Sequence, residues 1–272
     1  VIRHSVPLHQ RLSRALVQDE FEVNYQPLVE LATGRIAGAE ALVRWRHNDG
    51  SLIFPDAFIP QSEQTGFIIK LDQWVLNTAC VQFAQWRRDC DPNLFVAVNL
   101  SASQFGHPLL LSVVRDALRT SQLPANGLEL EVTESATMRD PEETAGIIKQ
   151  LGDMGIALSL DDFGTGFSSL SYLHRFAFHT LKIDRSFIGD FSNKKRDSTI
   201  VSAIVALAHA LELDVIAEGI ETEEQLQFLR AAKCKLGQGW LFGKAMPALE
   251  FEQVLKREGG YAHIIEKQRI SA

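Results

Sequence analysis

Cysteine is scarce in this chain. Cys80, Cys90 and Cys234 are the only three in 272 residues, and none of them stands in a CxxC spacing. An odd, sparse set of this kind excludes a disulfide framework and points to reduced thiols in the cytosol. Long apolar runs are also missing. The longest, Ile200 to Leu211 continuing to Ile216, is broken by Ser202, His209, Glu212 and Asp214, so it reads as one helix and one strand rather than a membrane span. Positive charge is not in excess, since 27 Lys and Arg against 34 Asp and Glu give a net charge of -7. That balance argues against a surface built to track long nucleic acid, although a few local Arg or Lys and bound cations still allow a small anionic ligand. No GxGxxG or GxxxxGK stretch is present, which removes the phosphate loop of a doubly wound sheet. Internal repeats, low-complexity tracts and a Pro/Gly/Ser-rich linker are absent too. The chain opens on Val1 with no signal-type leader, the expectation for a piece cut from a longer protein.

What is present is an average globular composition, 46% hydrophobic and 22% charged, arranged in a repeated alternation of strand-like and helix-like segments. Phe21 to Glu30 and Arg35 to Arg44 alternate as strands do, and the turn-former Ala32-Thr33-Gly34 joins them as an antiparallel hairpin. Helices are predicted over Leu71 to Arg87, Pro108 to Ser121, Pro141 to Met154, Arg196 to Leu211 and Glu223 to Ala232, with a short one after Ser168. Strands are predicted over Phe95 to Asn99, Leu128 to Val132, Ile156 to Asp161, Thr180 to Ile183 and Asp214 to Glu218, followed by a last strand-helix unit through Leu236 and Phe251. About eight strands with intervening helices in roughly 250 residues is the rhythm of a (β/α)8 barrel, here TIM-like with an antiparallel first strand. We divide the chain into a connector helix over residues 1–20, the barrel over 21–260 and a tail over 261–272.

Acidic or amide residues stand where several of these strands stop: Glu40, Asn99, Glu131, the pair Asp161-Asp162, and Glu218. Parallel α/β folds deliver such side chains to one face. Residues two apart share a face, so Ile156, Leu158 and Leu160 suit the outer helices while Ala157, Ser159 and Asp161 face the barrel axis. The same parity turns Lys182 inward and groups Glu40 with Leu42 and Arg44, Asn99 with Ala97, and Glu218 with Ile216. Carboxylates packed this closely must protonate, pair or bind cations. Hard oxygen ligands without a Cys or His-x-His cluster favour Mg²⁺ or Mn²⁺, and the adjacent Asp161 and Asp162 allow two ions.

Glu40-Ala41-Leu42 followed by Val43-Arg44-Trp45 resembles the signature of EAL-domain phosphodiesterases, which hydrolyse cyclic di-GMP to linear pGpG. The resemblance extends through Tyr25-Gln26-Pro27, Phe58-Ile59-Pro60, Asn99-Leu100-Ser101, Glu131-Val132-Thr133-Glu134, Asp161-Asp162-Phe163-Gly164-Thr165-Gly166, Leu181-Lys182-Ile183-Asp184, Ala217-Glu218-Gly219-Ile220-Glu221 and Gln238-Gly239. It implies metal ligation by Glu40, Asn99, Glu131, Asp161 and Asp162, with Glu218 as a ligand or proton acceptor. It further implies that Lys182 holds the attacking water and the charged phosphate, that Gln238 supports the water and metal shell, and that Gln26, Leu42, Arg44, Asp184 and Glu221 contact substrate. Glu134 resembles the residue that anchors the loop Asp162 to Leu170 and couples metal binding to dimer contacts. An upstream sensory or GGDEF domain is expected in the longer protein, with this piece cytoplasmic and free of membrane contact, and any membrane anchor lying upstream.

Each element also has a plainer reading. A lone strand-end Glu is more often a cap or a solvated acid, Asp161-Asp162 before Gly164 could be an ordinary turn, and Lys182 could pair with a structural acid. Asn193-Lys194-Lys195-Arg196 reads as a solvated loop, His47, His107, His174 and His179 show no metal spacing, and Trp74 and Trp86 read as core. Glu129 shares a face with Glu131 and should lie beneath the site or pair with a cation that the sequence does not identify. Departures from the family pattern are Phe167, Ala177, His179, Trp240 and Ala245, of which His179 is the one expected to alter metal affinity or dimer coupling. The wide apolar arc of the helix Arg196 to Leu211 suggests a homodimer through it and the Asp162 to Leu170 loop. Two other functions remain open: a silent cyclic di-GMP receptor, and an enolase-type barrel, for whose usual capping domain the chain has no room.

Overall fold

The computed structural model describes residues 8–47, 49–138, 140–164, 175–188, 196–257 and 259–265. The described residues hold ten strands: β1 (Phe21–Glu30), β2 (Ile36–Arg46), β3 (Leu52–Ile53), β4 (Phe95–Leu100), β5 (Leu128–Thr133), β6 (Ala157–Phe163), β7 (Thr180–Ile183), β8 (Asp214–Ala217), β9 (Leu236–Gly237) and β10 (Met246–Pro247). Eight of them close a barrel in the order β1-β2-β4-β5-β6-β7-β8-β9 and back to β1, while β3 and β10 extend β2 and β1 at the rim. β1 runs antiparallel to both of its barrel neighbours, and the remaining barrel contacts, from β2–β4 to β8–β9, are parallel.

The hairpin that reverses β1 depends on Gly34. Its φ is +79°, and a Cβ there would lie 2.6 Å from the backbone nitrogen of Ala262. Glycine meets both demands, the left-handed turn and the close approach of the C-terminal segment.

Strand parity then sorts the core into two shells. Val96, Val98, Leu130, Val132, Leu158, Leu160 and Leu181 face outward into one apolar cluster with helix residues such as Val114, Ile148 and Val201. Leu28, Ala97, Ile216 and Leu236 form a separate plug inside the barrel. Each large aliphatic side chain so buried contributes about 1.5–3 kcal/mol, which fixes the register because a one-residue slip would exchange the two shells.

The predicted elements recur with shifted ends. The helix expected from Leu71 spans Ile68–Asp89, and that expected from Pro108 begins at Leu110. The predicted connector is a helix at Leu8–Val17, and it is docked: Leu12 and Ala15 are buried with Phe21, Trp45, Phe58 and Phe67. Trp86 is a core residue as expected, edge-on to Tyr25 at 4.9 Å. The expectation for His179 needs correction. It immediately precedes the N-terminal end of β7, the end of the barrel opposite the acidic residues, where its Nδ1 accepts the N–H of Leu158 at 3.3 Å. The short helix after Ser168, residues 165–170 of the loop with Phe167, His174, and Asn193 to Lys195 fall outside the described residues.

Candidate active site

The parallel strands carry their inward side chains up the barrel in layers. Ala97 and Ile216 belong to the apolar plug, so the next inward residues, Asn99 and Glu218, emerge above it at the carboxyl ends of the strands. Register brings Asn99 of β4 opposite Glu131 of β5 and Glu131 opposite Ser159 of β6. The ladder breaks between Leu160 and Phe163, where Asp162 takes a φ of +56° and donates its N–H to Asp161 Oδ1 at 2.9 Å. This bulge separates the directions of two adjacent carboxylates, a common device next to active sites.

Lys182 is the centre of the arrangement. Its side chain is 1% exposed, and Nζ lies 2.7 Å from Glu131 Oε2, 2.7 Å from Glu218 Oε1, 3.5 Å from Asp161 Oδ1 and 3.9 Å from Glu40 Oε2. Asn99 Nδ2 donates to Glu40 Oε1 at 2.7 Å, and Gln238 Nε2 donates to Glu40 Oε2 at 2.8 Å and to Glu218 Oε1 at 3.3 Å. Seven of the residues predicted from strand ends and resemblance therefore form one network: Glu40, Asn99, Glu131, Asp161, Lys182, Glu218 and Gln238.

Burial sets the protonation tendencies. It disfavours the Lys182 ammonium, but Glu131, Glu218, Glu40 and Asp161 outweigh it and hold the lysine pKa well above its ordinary value. Burial pushes Glu131 well up against the pull of Lys182, with Glu40 and Asp161 adding to the rise. Burial likewise raises Glu218 to about 7, opposed by Lys182. Burial also penalises the Glu40 carboxylate, yet Lys182 and the Gln238 and Asn99 donors reverse the balance and lower its pKa. Asp162 is raised by burial and by the neighbouring charges of Asp161 and Asp184.

A cleft of about 430 Å³ opens beside this network, with Leu42, Asn99, Asp161 and Asp162 in its wall. Arg44 stands two residues above Leu42 on β2, its guanidinium 5.3 Å from the Phe54 ring centroid. Gln26 Nε2 donates to the Gly243 carbonyl at 3.3 Å. Asp184 Oδ1 accepts the Ser186 N–H at 2.9 Å at the start of the helix Arg185–Ile188, and Glu221 is exposed. These last two do not join the Lys182 network. Glu134 is buried, and its Oε2 accepts the N–H of Gly164 at 3.4 Å, tying the short helix Glu134–Thr137 after β5 to the start of the loop.

Strand-end reasoning misses Asp72. It lies on the buried side of the helix Ile68–Asp89, lines the same cleft, and accepts the Ser101 N–H at 3.1 Å. Burial pushes its pKa up to about 7 against the Ser101 contacts. The available signal was an acid interrupting the apolar stripe of Leu71, Val75 and Leu76.

Among the described residues, no three His, Cys, Asp or Glu stand in a ready-made ligand group, because the carboxylates close on the Lys182 ammonium. The donor set nevertheless fits a divalent cation. Four carboxylates surround one ammonium, and Glu131 Oε1 and Gln238 Oε1 are buried without a partner. Such orphaned hard oxygens in a charge-excess site are what Mg²⁺ or Mn²⁺ would satisfy.

An antiparallel-opening barrel with acids gathered on an inward lysine at its carboxyl end belongs to the TIM-like α/β barrels, whose sites lie at that end. The EAL domain profile matches residues 9–245, and the chain belongs to this family. It is 45% identical over 249 residues to the cyclic di-GMP phosphodiesterase NbdA of Pseudomonas aeruginosa, covering 92% of this chain and 32% of that protein. It is 46% identical over 244 residues to the bifunctional diguanylate cyclase/cyclic di-GMP phosphodiesterase MucR of the same organism, covering 90% of this chain and 35% of that protein. The chain thus spans about a third of the length of these relatives. The solved PaMucR phosphodiesterase in its c-di-GMP complex superposes with a TM-score of 0.87 at 45% identity, over 90% of this chain and all of that one.

Proposed function

We propose that this chain is a metal-dependent phosphodiesterase that hydrolyses cyclic di-GMP to linear pGpG. The observation that carries the reading is the convergence of Glu40, Glu131, Asp161 and Glu218 on Lys182 beside an open cleft in an EAL barrel. Glu40, Asn99, Glu131, Asp161, Asp162 and Glu218 would hold Mg²⁺ or Mn²⁺, two ions in all. A bound divalent ion supplies charge neutralisation at the phosphoryl oxygens and acidifies a water.

The chain's own residues would do the rest. Water oxygen forms a bond to phosphorus as one ester P–O bond breaks, and the leaving oxygen takes a proton. Lys182, held protonated by its carboxylates, stabilises charge on the phosphoryl group. Glu218, with a pKa of about 7, is matched to accept the proton of the attacking water. Gln238 orients Glu40 and Glu218 through its amide, and Asn99 orients Glu40. Arg44 would pair with a substrate phosphate, and Gln26, Leu42, Asp184 and Glu221 would contact the rest of the substrate. Glu134 anchors the loop through Gly164.

The larger setting belongs to the same proposal. The chain would be the output domain of a longer cytoplasmic signalling protein with a sensory or GGDEF domain upstream. No helix among the described residues is long and apolar enough to cross a membrane. A homodimer would use the helix Arg196–Ala210, whose outer side carries the exposed Ile200 and Ala203, together with the Asp162 to Leu170 loop. Sedimentation of a strict monomer with full activity would refute that part. The activity itself is tested by stripping the protein with a chelator, adding cyclic di-GMP with Mg²⁺ or Mn²⁺, and separating the products. Linear pGpG formed only after metal is restored supports the enzyme; tight binding of intact dinucleotide without turnover supports a receptor.

A further inference from the structure

The barrel has a second mouth, at the N-terminal ends of β4, β5, β7 and β8, which the proposed chemistry leaves unused. A cleft of about 210 Å³ opens there, with Glu30, Arg35, Asn93, Glu129, Thr180 and Lys235 in its wall. Its inner wall includes Glu129, a carboxylate only 6% exposed, whose Oε1 is buried and has no hydrogen-bond partner. The fully buried Ser159 hydroxyl on the adjoining strand and the Thr180 hydroxyl face this carboxyl, and with Lys182 they oppose the burial that raises its pKa. A buried carboxylate with an open oxygen is costly unless something meets it.

The nearby cations are committed elsewhere. Arg35 lies 3.7 Å from both Glu30 and Asp91, and Lys235 pairs with Asp214. Lys182, one residue pair above Thr180 on β7, is engaged by Glu131, Glu218, Asp161 and Glu40. Asp91 and Asp214 complete the polar rim, and the apolar walls Ile36, Ala37, Phe95 and Leu236 bring no further cation to the buried Glu129 oxygen.

We propose that this mouth is a binding site for a small monovalent cation, a metal ion or a primary ammonium group, held by Glu129 with the hydroxyls of Thr180 and Ser159. The site is separate from the carboxylates around Lys182 and does not depend on the proposed hydrolysis. A cation here would satisfy the open oxygen from below while the ammonium of Lys182 stays with the carboxylates at the other end.

The test is thermal melting of the whole chain with Mg²⁺ and ionic strength held constant while tetramethylammonium is replaced by K⁺, Na⁺ or methylammonium. Small cations should raise the midpoint by about 2–4 °C, an effect that Glu129→Gln abolishes while keeping the side chain's shape. Crystals of the parent soaked in Tl⁺ should show an anomalous peak at Glu129. A methylammonium effect without a Tl⁺ peak assigns the site to an amine. Equal midpoints in all the salts and no peak at Glu129 would overturn the proposal. Should Glu129→Gln fail to fold, Thr180→Val and the Tl⁺ soak of the parent decide in its place.

Discussion

Lys182→Met tests whether the lysine stands in for a cation. Methionine keeps much of the volume of a side chain that is 1% exposed, but removes the ammonium from two carboxylates at 2.7 Å and two more at 3.5 and 3.9 Å. Breaking a buried pair in this way leaves uncompensated charge and costs about 3–5 kcal/mol. Lys182 holds Glu218 down to about 7, so in the variant that acid is raised further, and the penalty should grow with pH as escape by protonation becomes more costly. Urea unfolding with a chelator present should therefore show the variant less stable by that amount. Mn²⁺ at about 100 times its dissociation constant adds about 2.7 kcal/mol to whichever protein binds it, so most of the deficit should return if the variant binds and the parent, with its ammonium in the way, gains less. An equal deficit with chelator and with Mn²⁺ would refute the reasoning, because the lysine would then be an ordinary structural partner.

Other outcomes follow from single contacts. Glu134→Ala removes the acceptor of the Gly164 N–H and should lower turnover about 10-fold while Glu134→Gln, which keeps an acceptor, lowers it less; steady-state kinetics distinguish them. Acid should weaken metal binding, because Glu218 at about 7 and the raised Glu131 hold protons that a cation must displace. The Mn²⁺ concentration giving half-maximal binding by calorimetry should therefore rise as pH falls from 8 to 6, and a flat profile would contradict this. Asp72 is raised to about 7 in the folded state from an ordinary 3.8, so it holds its proton longer when folded. The stability this contributes is full below about 4 and is lost as pH rises through about 7, and Asp72→Asn should flatten that part of a urea stability profile.

The parts of the structure that a reader of the sequence can recover are those written in a local period. Phe21–Glu30 and Thr180–Ile183 are marked to the residue by alternation and by their bounding turns. Lys182 is predicted inward from the same parity, and it is buried. Strand β9 has only two residues, too few to show a period, yet it is what closes the barrel against β1. The bulge at Asp161-Asp162 is invisible for a related reason: the predicted strand stops at Asp161, whereas the chain continues to Phe163 by taking one left-handed residue. Asp72 is hidden because its role depends on Ser101, which lies on another element and reaches it only in the fold. His179 misleads because a residue just before a parallel strand sits at its N-terminal end, away from the acids at the carboxyl ends.

The central claim is that the acids around Lys182 bind a divalent cation and thereby cleave cyclic di-GMP. Turnover of cyclic di-GMP by the parent and by Glu40→Ala, each with saturating Mn²⁺ and read as pGpG by chromatography, tests it most directly. Glu40 is bonded to Asn99 and Gln238 and faces Lys182, so its loss should reduce pGpG formation by at least about 100-fold while the variant stays folded. Comparable pGpG from both proteins, or none from the parent at any metal concentration, would contradict the account.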